Sequence, residues 1–168
     1  MKRSNELVSQ KQKMIFPQDY LDILEIFLAE NVQFMIIGGY AVGLWGHPRA
    51  TKDLDLWIWA NPENAVKVVR ALKIFGAPMD NISEKDFEKE GVIFQMGVDP
   101  VRIDVTTTIE GIHFEEAYPN TQNIDINGMN VPLISVDDLI KNKKASGRLQ
   151  DLADNERLEI IRKRQKEK

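Results

Sequence analysis

The sequence predicts a mixed α/β or α+β fold, with a small mixed β-sheet flanked by helices and a helical C-terminal segment. The first indication is the order of the elements, because stretches with strand alternation and stretches with helical spacing follow one another. The second is Gly38-Gly39, which follows the apolar run 34–37 and is typical of a sharp turn between a strand and a helix. The third is the alternation of apolar and acidic residues in 53–59 and 101–106, which predicts strands that bury one face.

Helices are predicted from apolar spacing and from residues that favour helix ends. Pro17 suits a first helical turn, Asn61-Pro62 combines an N-cap with proline, and Ser135 begins a capping-box variant. Gly76 is expected to end the helix before it, and Gly147 to interrupt another. The predicted helices are 17–31, 40–45, 61–75, 83–90, one from 135 that Gly147 interrupts, and one from about 148 into the basic tail.

Strands are predicted from alternation and from turn residues. Asn127-Gly128 is a strong hairpin signal between two short strands, and the remainder of 109–134 is expected to form short strands and loops. The predicted strands are 34–37, 53–59, 92–96, 101–106, 123–126 and 129–133.

Composition and charge limit the classes of protein. With 168 residues, 43% of them hydrophobic, the chain is most simply one domain. We expect a flexible arm at 1–15, a core at 16–134 and a helical segment packed on that core at 135–168. The chain has no cysteine, no apolar signal core and no run near the roughly 20 apolar residues of a membrane span, so a cytoplasmic protein without a membrane partner is expected. The net charge of −4 does not indicate nucleic-acid binding, although a late basic cluster could contact RNA or a triphosphate.

Three aspartates on two predicted strands are candidates for a divalent-cation site. Asp53 and Asp55 lie on one face of the strand 53–59, and Asp104 lies on the polar face of the strand 101–106. Carboxylate oxygens are the ligands that Mg²⁺ and Mn²⁺ prefer. Such ions can activate an attacking oxygen and stabilise a leaving one in nucleotidyl transfer. The sequence therefore predicts Mg²⁺ or Mn²⁺ beside the glycine turn.

The glycine turn is a candidate phosphate site, because the N–H groups at a helix start favour anions. Arg49, Lys52 or Arg102 could neutralise phosphate charge beside the metals. Each feature also has an ordinary interpretation as a simple turn, a solvated strand face, or a surface ion pair of Arg102 with Asp104. Both histidines are interpreted as ordinary loop residues. Trp57 is interpreted as a core residue or, on the acidic face, as a platform that stacks a base.

In combination, these motifs resemble the signature of the DNA polymerase-β-like nucleotidyltransferase superfamily. The chain is most similar to small bacterial nucleotidyltransferase-like proteins related to abortive-infection toxins and to minimal nucleotidyltransferases of toxin–antitoxin pairs. The resemblance spans about 16–160 and implies the polymerase-β-type nucleotidyltransferase fold, with 16–134 as the nucleotidyltransferase core. The principal matching stretches are Gly38-Gly39-Tyr40-Ala41-Val42, Arg49-Ala50-Thr51-Lys52-Asp53-Leu54-Asp55-Leu56 and Arg102-Ile103-Asp104-Val105-Thr106.

The resemblance also implies roles for individual residues. Asp53, Asp55 and Asp104 would be catalytic residues that bind Mg²⁺ or Mn²⁺, and Asp104 would help to deprotonate the attacking hydroxyl. The implied nucleotide-binding residues are Gly38, Gly39, Tyr40, Arg49, Thr51, Lys52, Lys141, Lys144 and Arg148. The last three share one helix face if the helix continues through Gly147, and Asp151 and Asp154 are equally good candidates to pair with them.

The implied activity is Mg²⁺-dependent transfer of a nucleoside monophosphate from an NTP to a hydroxyl of a protein or an RNA, with a tRNA end as one candidate. The implied partners are the NTP, the acceptor and, in a toxin–antitoxin pair, an antitoxin protein. One departure is Gly39, where many active members have serine, so backbone N–H groups would have to bind the phosphate. Together with the small size and acidic charge, this leaves open a catalytically inactive member that binds a nucleotide or a protein partner.

Overall fold

The computed structural model describes residues 14–168, so most of the predicted N-terminal arm lies outside the described residues. The helices within this range are α1 Gln18–Ala29, α2 Gly38–Trp45, α3 Pro62–Phe75, α4 Glu84–Phe87, α5 Phe114–Ala117, α6 Val136–Ser146 and α7 Leu149–Lys166. The strands are β1 Phe34–Ile37, β2 Asp53–Ile58, β3 Ile93–Met96, β4 Arg102–Thr106, β5 Gln122–Ile126 and β6 Met129–Leu133. A short 3₁₀ helix, Tyr118–Asn120, follows α5.

The strands form one mixed sheet in the order β3-β4-β2-β1-β6-β5. β2 pairs with β4 in parallel and with β1 in antiparallel orientation, and β1 pairs with β6 in parallel. The outer strands β3 and β5 are antiparallel to their neighbours. The mixed α/β fold with a small sheet is therefore confirmed, and the two aspartate strands lie side by side within it.

The hydrophobic core joins the sheet to helices from both halves of the chain. Leu54 and Leu56 of β2 are fully buried, as their alternation with the aspartates predicts. Phe27 of α1, Leu139 of α6 and Leu158 of α7 belong to the same buried cluster. The last two helices are thus anchored in the main core. Across residues 14–168, no helix has the length and apolar character that a bilayer crossing demands.

The sequence signals for helix ends operate as predicted. The side chain of Asn61 accepts a hydrogen bond from the N–H of Asn64 at 2.8 Å, which caps α3. The hydroxyl of Ser135 accepts one from the N–H of Asp138 at 3.1 Å, which caps α6. Gly147 has a φ of +66° and ends α6, because a left-handed residue cannot continue the helix. The interruption at Gly147 is therefore confirmed.

Three expectations about local structure are wrong. α2 begins at Gly38 rather than at Tyr40, so the glycines belong to the first helical turn. Residues 114–120 form α5 and the 3₁₀ helix instead of strands and loops. Trp57 is only 1% exposed and cannot stack a base, because Phe114 of α5 packs edge-on against its ring at 5.2 Å. The missed helix is the reason that the tryptophan is covered.

Candidate active site

The three aspartates meet where β2 and β4 run side by side. Parallel pairing places Asp55 opposite Asp104 and Asp53 opposite Arg102. One carboxylate oxygen from each aspartate lies within 4.8 Å of the corresponding oxygens of the other two. Oxygen donors at this spacing suit a hard divalent cation, so these residues fit Mg²⁺ or Mn²⁺. We call Asp53, Asp55, Asp104 and Arg102 the carboxylate site.

Asp55 is the least compensated member of the carboxylate site. Within residues 14–168, its side chain makes no hydrogen bond or ion pair. Burial, followed by the negative charges of Asp53 and Asp104, raises the pKa of Asp55 from 3.8 to about 7. Lys143 and Arg102 act in the opposite direction without cancelling the effect. A bound cation would supply the positive charge that this carboxylate lacks.

Arg102 compensates the other two aspartates. Its Nη2 donates to Oδ2 of Asp53 at 2.8 Å, and its Nε donates to Oδ1 of Asp104 at 2.9 Å. A third hydrogen bond runs from Nη2 to Oδ2 of Asp104 at 3.2 Å. The hydrogen bond to Asp104, with the charges of both carboxylates, raises the pKa of Arg102 above its ordinary value. The strand is held separately, since the hydroxyl of Tyr20 donates to the carbonyl oxygen of Arg102 at 2.9 Å.

The two glycines of the turn are required by close packing around the carboxylate site. Gly38 has a φ of +69°, and a Cβ atom there would lie 2.9 Å from Cγ of Asp55. A Cβ atom on Gly39 would lie 2.7 Å from Oγ1 of Thr51, so Thr51 occupies the space of a side chain at position 39. The first turn of α2, whose N–H groups lack partners within the helix, therefore approaches the aspartates closely.

A cleft of about 840 Å³ opens above the carboxylate site. One wall comes from the glycine turn and the following loop, and the other comes from α6, the start of α7 and the residues after β4. A volume of this size is within the range of small-molecule sites. Six of the predicted nucleotide-binding residues line the cleft: Gly38, Gly39, Arg49, Thr51, Lys52 and Arg148.

The other three predicted nucleotide-binding residues lie outside the cleft lining. Tyr40 is buried, and its ring packs against Tyr20 at 5.3 Å. Lys141 and Lys144 form ion pairs of their own at 3.6 Å and 3.2 Å, with Asp138 and Glu159. The prediction that Lys141, Lys144 and Arg148 share one helix face required the helix to continue through Gly147. Because α6 ends before Gly147, these residues do not form one continuous helical face.

Lys143 is a site residue that sequence reasoning missed. It lines the cleft, is 6% exposed, and contacts Asp151 at 2.9 Å and Asp154 at 3.1 Å. Arg49, which was predicted to bind phosphate, donates two hydrogen bonds of 2.9 Å to Asp154 of α7. Burial opposes ionisation of Asp151, but hydrogen bonds from Ser146 and Lys143 lower its pKa overall. We call Arg49, Lys143, Asp151 and Asp154 the C-terminal ion network.

The sequence contains one signal for Lys143, which is its spacing from two acidic residues. Asp151 and Asp154 follow Lys143 by eight and eleven residues, and Gly147 lies between Lys143 and Asp151. A helix end at Gly147 allows α7 to turn back on α6, which brings these positions together. Of the three predicted basic partners, only Arg148 contacts Asp151, at 3.7 Å, and the main partners of Asp151 and Asp154 are Lys143 and Arg49.

The loop after β4 is fastened to α6. Gly111 has a φ of +89°, and a Cβ atom on it would lie 3.0 Å from the carbonyl oxygen of Lys141. The side-chain amide of Asn142 donates to the carbonyl oxygen of Glu110 at 3.0 Å. Glu110 and Asn142 both line the cleft, so this contact fixes one part of its wall.

The aspartates on adjacent strands and the glycine turn are the features that carry the predicted resemblance to polymerase-β-like nucleotidyltransferases. A family model described as nucleotidyl transferase of unknown function (DUF2204) matches residues 17–168. The match covers most of the chain, and the protein therefore belongs to this family. The predicted superfamily and the prediction that the chain is an enzyme of this type are confirmed.

Solved structures of low sequence identity share the fold. TM1012 from Thermotoga maritima, assigned as a nucleotidyltransferase, superposes with a TM-score of 0.53 at 16% identity, covering 93% of this chain and 98% of the other. The antibiotic-resistance factor ANT(2'')-Ia gives 0.57 at 16% identity, with 89% and 90% covered. The lincosamide antibiotic adenylyltransferase LnuA, bound to lincomycin, gives 0.54 at 15% identity, with 88% and 98% covered. No curated protein matches the sequence significantly.

Proposed function

We propose that this nucleotidyltransferase moves a nucleoside monophosphate from an NTP to an acceptor hydroxyl, using Mg²⁺ or Mn²⁺ held by Asp53, Asp55 and Asp104. The observation that carries the proposal is the charge of the carboxylate site, where three carboxylates face one guanidinium and Asp55 has no partner within residues 14–168. A divalent cation there would neutralise phosphate charge and orient the triphosphate. The match to a nucleotidyl transferase family and the shared fold support this proposal.

The protein's own residues divide the work between binding and proton transfer. We assign the triphosphate to the glycine turn at one wall of the cleft and to Lys143 and Arg148 at the other. The acceptor oxygen attacks the α-phosphorus, the bond from this phosphorus to the bridging oxygen breaks, and pyrophosphate leaves. We assign removal of the proton from the acceptor hydroxyl to Asp104.

The acceptor remains the broadest part of the proposal. The sequence resemblance to toxin–antitoxin nucleotidyltransferases is the ground for proposing a hydroxyl of a protein or an RNA, including a tRNA end, and an antitoxin partner rests on that resemblance alone. Two of the structural neighbours concern antibiotics: LnuA is a lincosamide adenylyltransferase, and ANT(2'')-Ia was solved with adenylyl-2''-tobramycin. Acceptor panels should therefore contain small hydroxylated molecules beside tRNA and protein.

The test is transfer from each of the four α-labelled NTPs with Mg²⁺ to such a panel, comparing wild type with Asp53→Asn and Asp104→Asn. We expect label to enter one acceptor class and each substitution to lower the rate about a thousandfold, which corresponds to roughly 4 kcal/mol in the barrier. Asp137→Asn is the matched control, because Asp137 is 57% exposed on the surface of α6. Equal labelling by wild type and both site variants would reject the proposal.

The same experiment addresses the alternative of a catalytically inactive member, which the absence of a side chain at Gly39 favours. That alternative predicts that an NTP with Mg²⁺ binds to the wild type without forming a labelled product. Binding measured by equilibrium dialysis beside the transfer assay separates the two functions. The position of Thr51, which fills the space beside Gly39 with a hydroxyl, supports the active enzyme.

A further inference from the structure

Arg102 engages the oxygens that a cation at the carboxylate site would need. It donates to Oδ2 of Asp53 and to both carboxylate oxygens of Asp104, at 2.8 Å, 2.9 Å and 3.2 Å. Oδ2 of Asp104 also accepts a hydrogen bond from the side-chain amide of Gln95 at 3.3 Å. A guanidinium and a divalent cation on the same oxygens repel each other, so the two cannot both be held there at full strength.

Arg102 can leave these oxygens only by moving. A guanidinium stays protonated at any pH that a protein tolerates, so deprotonation does not release it. Its side chain is 32% exposed and borders the cleft, which gives it room to move. Asp99 offers a second partner, because its Oδ1 is already 4.0 Å from Nη1 of Arg102 and its side chain is 52% exposed.

A bound triphosphate would give the guanidinium a better partner than Asp99 alone. Arginine binds phosphate oxygens through paired hydrogen bonds, and the cleft above Arg102 is where the triphosphate is assigned. Without nucleotide, a cation must displace Arg102 from Asp53 and Asp104 into solvent or towards Asp99. With nucleotide, the displaced guanidinium gains phosphate contacts.

We propose that Arg102 is an exchangeable counter-ion that competes with the divalent cation for Asp53 and Asp104 and is transferred to the phosphates when the nucleotide binds. This inference rests on the proposed function. Its consequence is that metal and nucleotide bind cooperatively, because each favours the same displacement of Arg102. By thermodynamic reciprocity, the nucleotide strengthens metal binding by the same factor as the metal strengthens nucleotide binding.

The test measures Mn²⁺ binding by electron paramagnetic resonance, with and without a non-hydrolysable NTP analogue, in wild type and Arg102→Gln. In wild type we expect the analogue to tighten Mn²⁺ binding about tenfold or more. In Arg102→Gln, Mn²⁺ alone should bind about tenfold more tightly than in wild type, and the enhancement by the analogue should largely disappear. Arg102→Lys keeps the charge without the planar fork and should fall between the two.

A purely positioning role of Arg102 predicts a different result for Mn²⁺ binding. If Arg102 only positions Asp104, Arg102→Gln will bind Mn²⁺ no more tightly than wild type, and the inference is overturned. The variant should fold, because the contact that ties this position to α1 uses the carbonyl oxygen of Arg102 and not its side chain. Asp55→Asn serves as the site control and should lose Mn²⁺ binding. If wild type binds neither Mn²⁺ nor the analogue, the proposed function itself fails, and this result is distinct from an unchanged Arg102→Gln.

Discussion

The carboxylate site and the C-terminal ion network are two clusters of charge at the same cleft, and they are balanced differently. In the network, Arg49 and Lys143 face Asp151 and Asp154, and each charge has a partner within 3.1 Å. In the carboxylate site, three aspartates share one arginine, and Asp55 has no partner within residues 14–168. Removing one partner from a balanced buried cluster leaves an uncompensated charge, whereas the unbalanced cluster already carries one and would be relieved by a positively charged ligand.

This difference predicts that removing a carboxylate destabilises the protein in one cluster and stabilises it in the other. Asp154→Asn should give the largest loss of stability, about 3–5 kcal/mol in the free energy of unfolding, because Asp154 is 2% exposed and two cations depend on it. Urea denaturation monitored by tryptophan fluorescence measures the change. Asp137→Asn, which breaks an exposed pair, should cost less than about 1 kcal/mol. If Asp154→Asn and Asp137→Asn lower the free energy of unfolding equally, the C-terminal ion network contributes no more to stability than an exposed ion pair.

Asp55→Asn should change stability in the opposite direction. The folded state raises the pKa of Asp55 from 3.8 to about 7, so folding favours its protonated form. Relative to the variant, the wild type should therefore lose unfolding free energy as pH rises from about 4 to about 7, by at most on the order of 4 kcal/mol. In EDTA at pH 8 the variant should be the more stable protein.

The measurement is thermal or urea unfolding of both proteins between pH 4 and pH 8, in EDTA and with Mn²⁺. The ion should stabilise wild type and leave Asp55→Asn unchanged, because the variant lacks both the excess charge and the ligand. A flat difference across this pH range would mean that Asp55 is already compensated.

The smallest effect is expected at Lys144. Its side chain is 61% exposed and pairs with Glu159 outside the cleft, so Lys144→Met should change the unfolding free energy by less than about 1 kcal/mol and leave NTP affinity unaltered. Lys143→Met is the matched contrast and should weaken NTP binding about tenfold or more, since Lys143 lines the cleft. Isothermal titration with a non-hydrolysable NTP compares them. Weaker binding by Lys144→Met would restore the role that the sequence resemblance assigned to this residue.

The sequence was sufficient for the features that depend on local periodicity. Alternation along 53–59 and 101–106 placed Asp53, Asp55 and Asp104 on matching faces, and the parallel pairing of β2 with β4 turned those faces into one site. The glycine turn was also predicted, because Gly38 and Gly39 follow an apolar strand, although both lie within the first turn of α2 and not before it. The register that sets Asp55 opposite Asp104 could not be predicted, because it depends on the pairing of two strands that are distant in sequence.

The contacts that the sequence did not reveal join distant segments of the chain. Lys143 lies close in sequence to Lys141 and Lys144. Lys143 is the buried one of the three because α7 packs back on α6 and brings Asp151 against it. Arg49 was assigned to phosphate, but its partner, Asp154, lies 105 residues away. Arg102 forms the predicted pair with Asp104, but the register of β2 with β4 also gives it Asp53, and this second carboxylate was not predicted.

The break at Gly147 has a consequence for which changes in chain length the protein can accept. One inserted residue in the short joint between α6 and α7 would rotate the start of α7 by about 100° if it were absorbed as helix, and would carry Asp151 and Asp154 away from Lys143. The hairpin at Asn127-Gly128 joins β5 to β6 at the edge of the sheet, where a longer loop costs little. Insertions should therefore be tolerated between β5 and β6 but not among the seven residues between Lys143 and Asp151, so the length of this joint sets the geometry of the cleft.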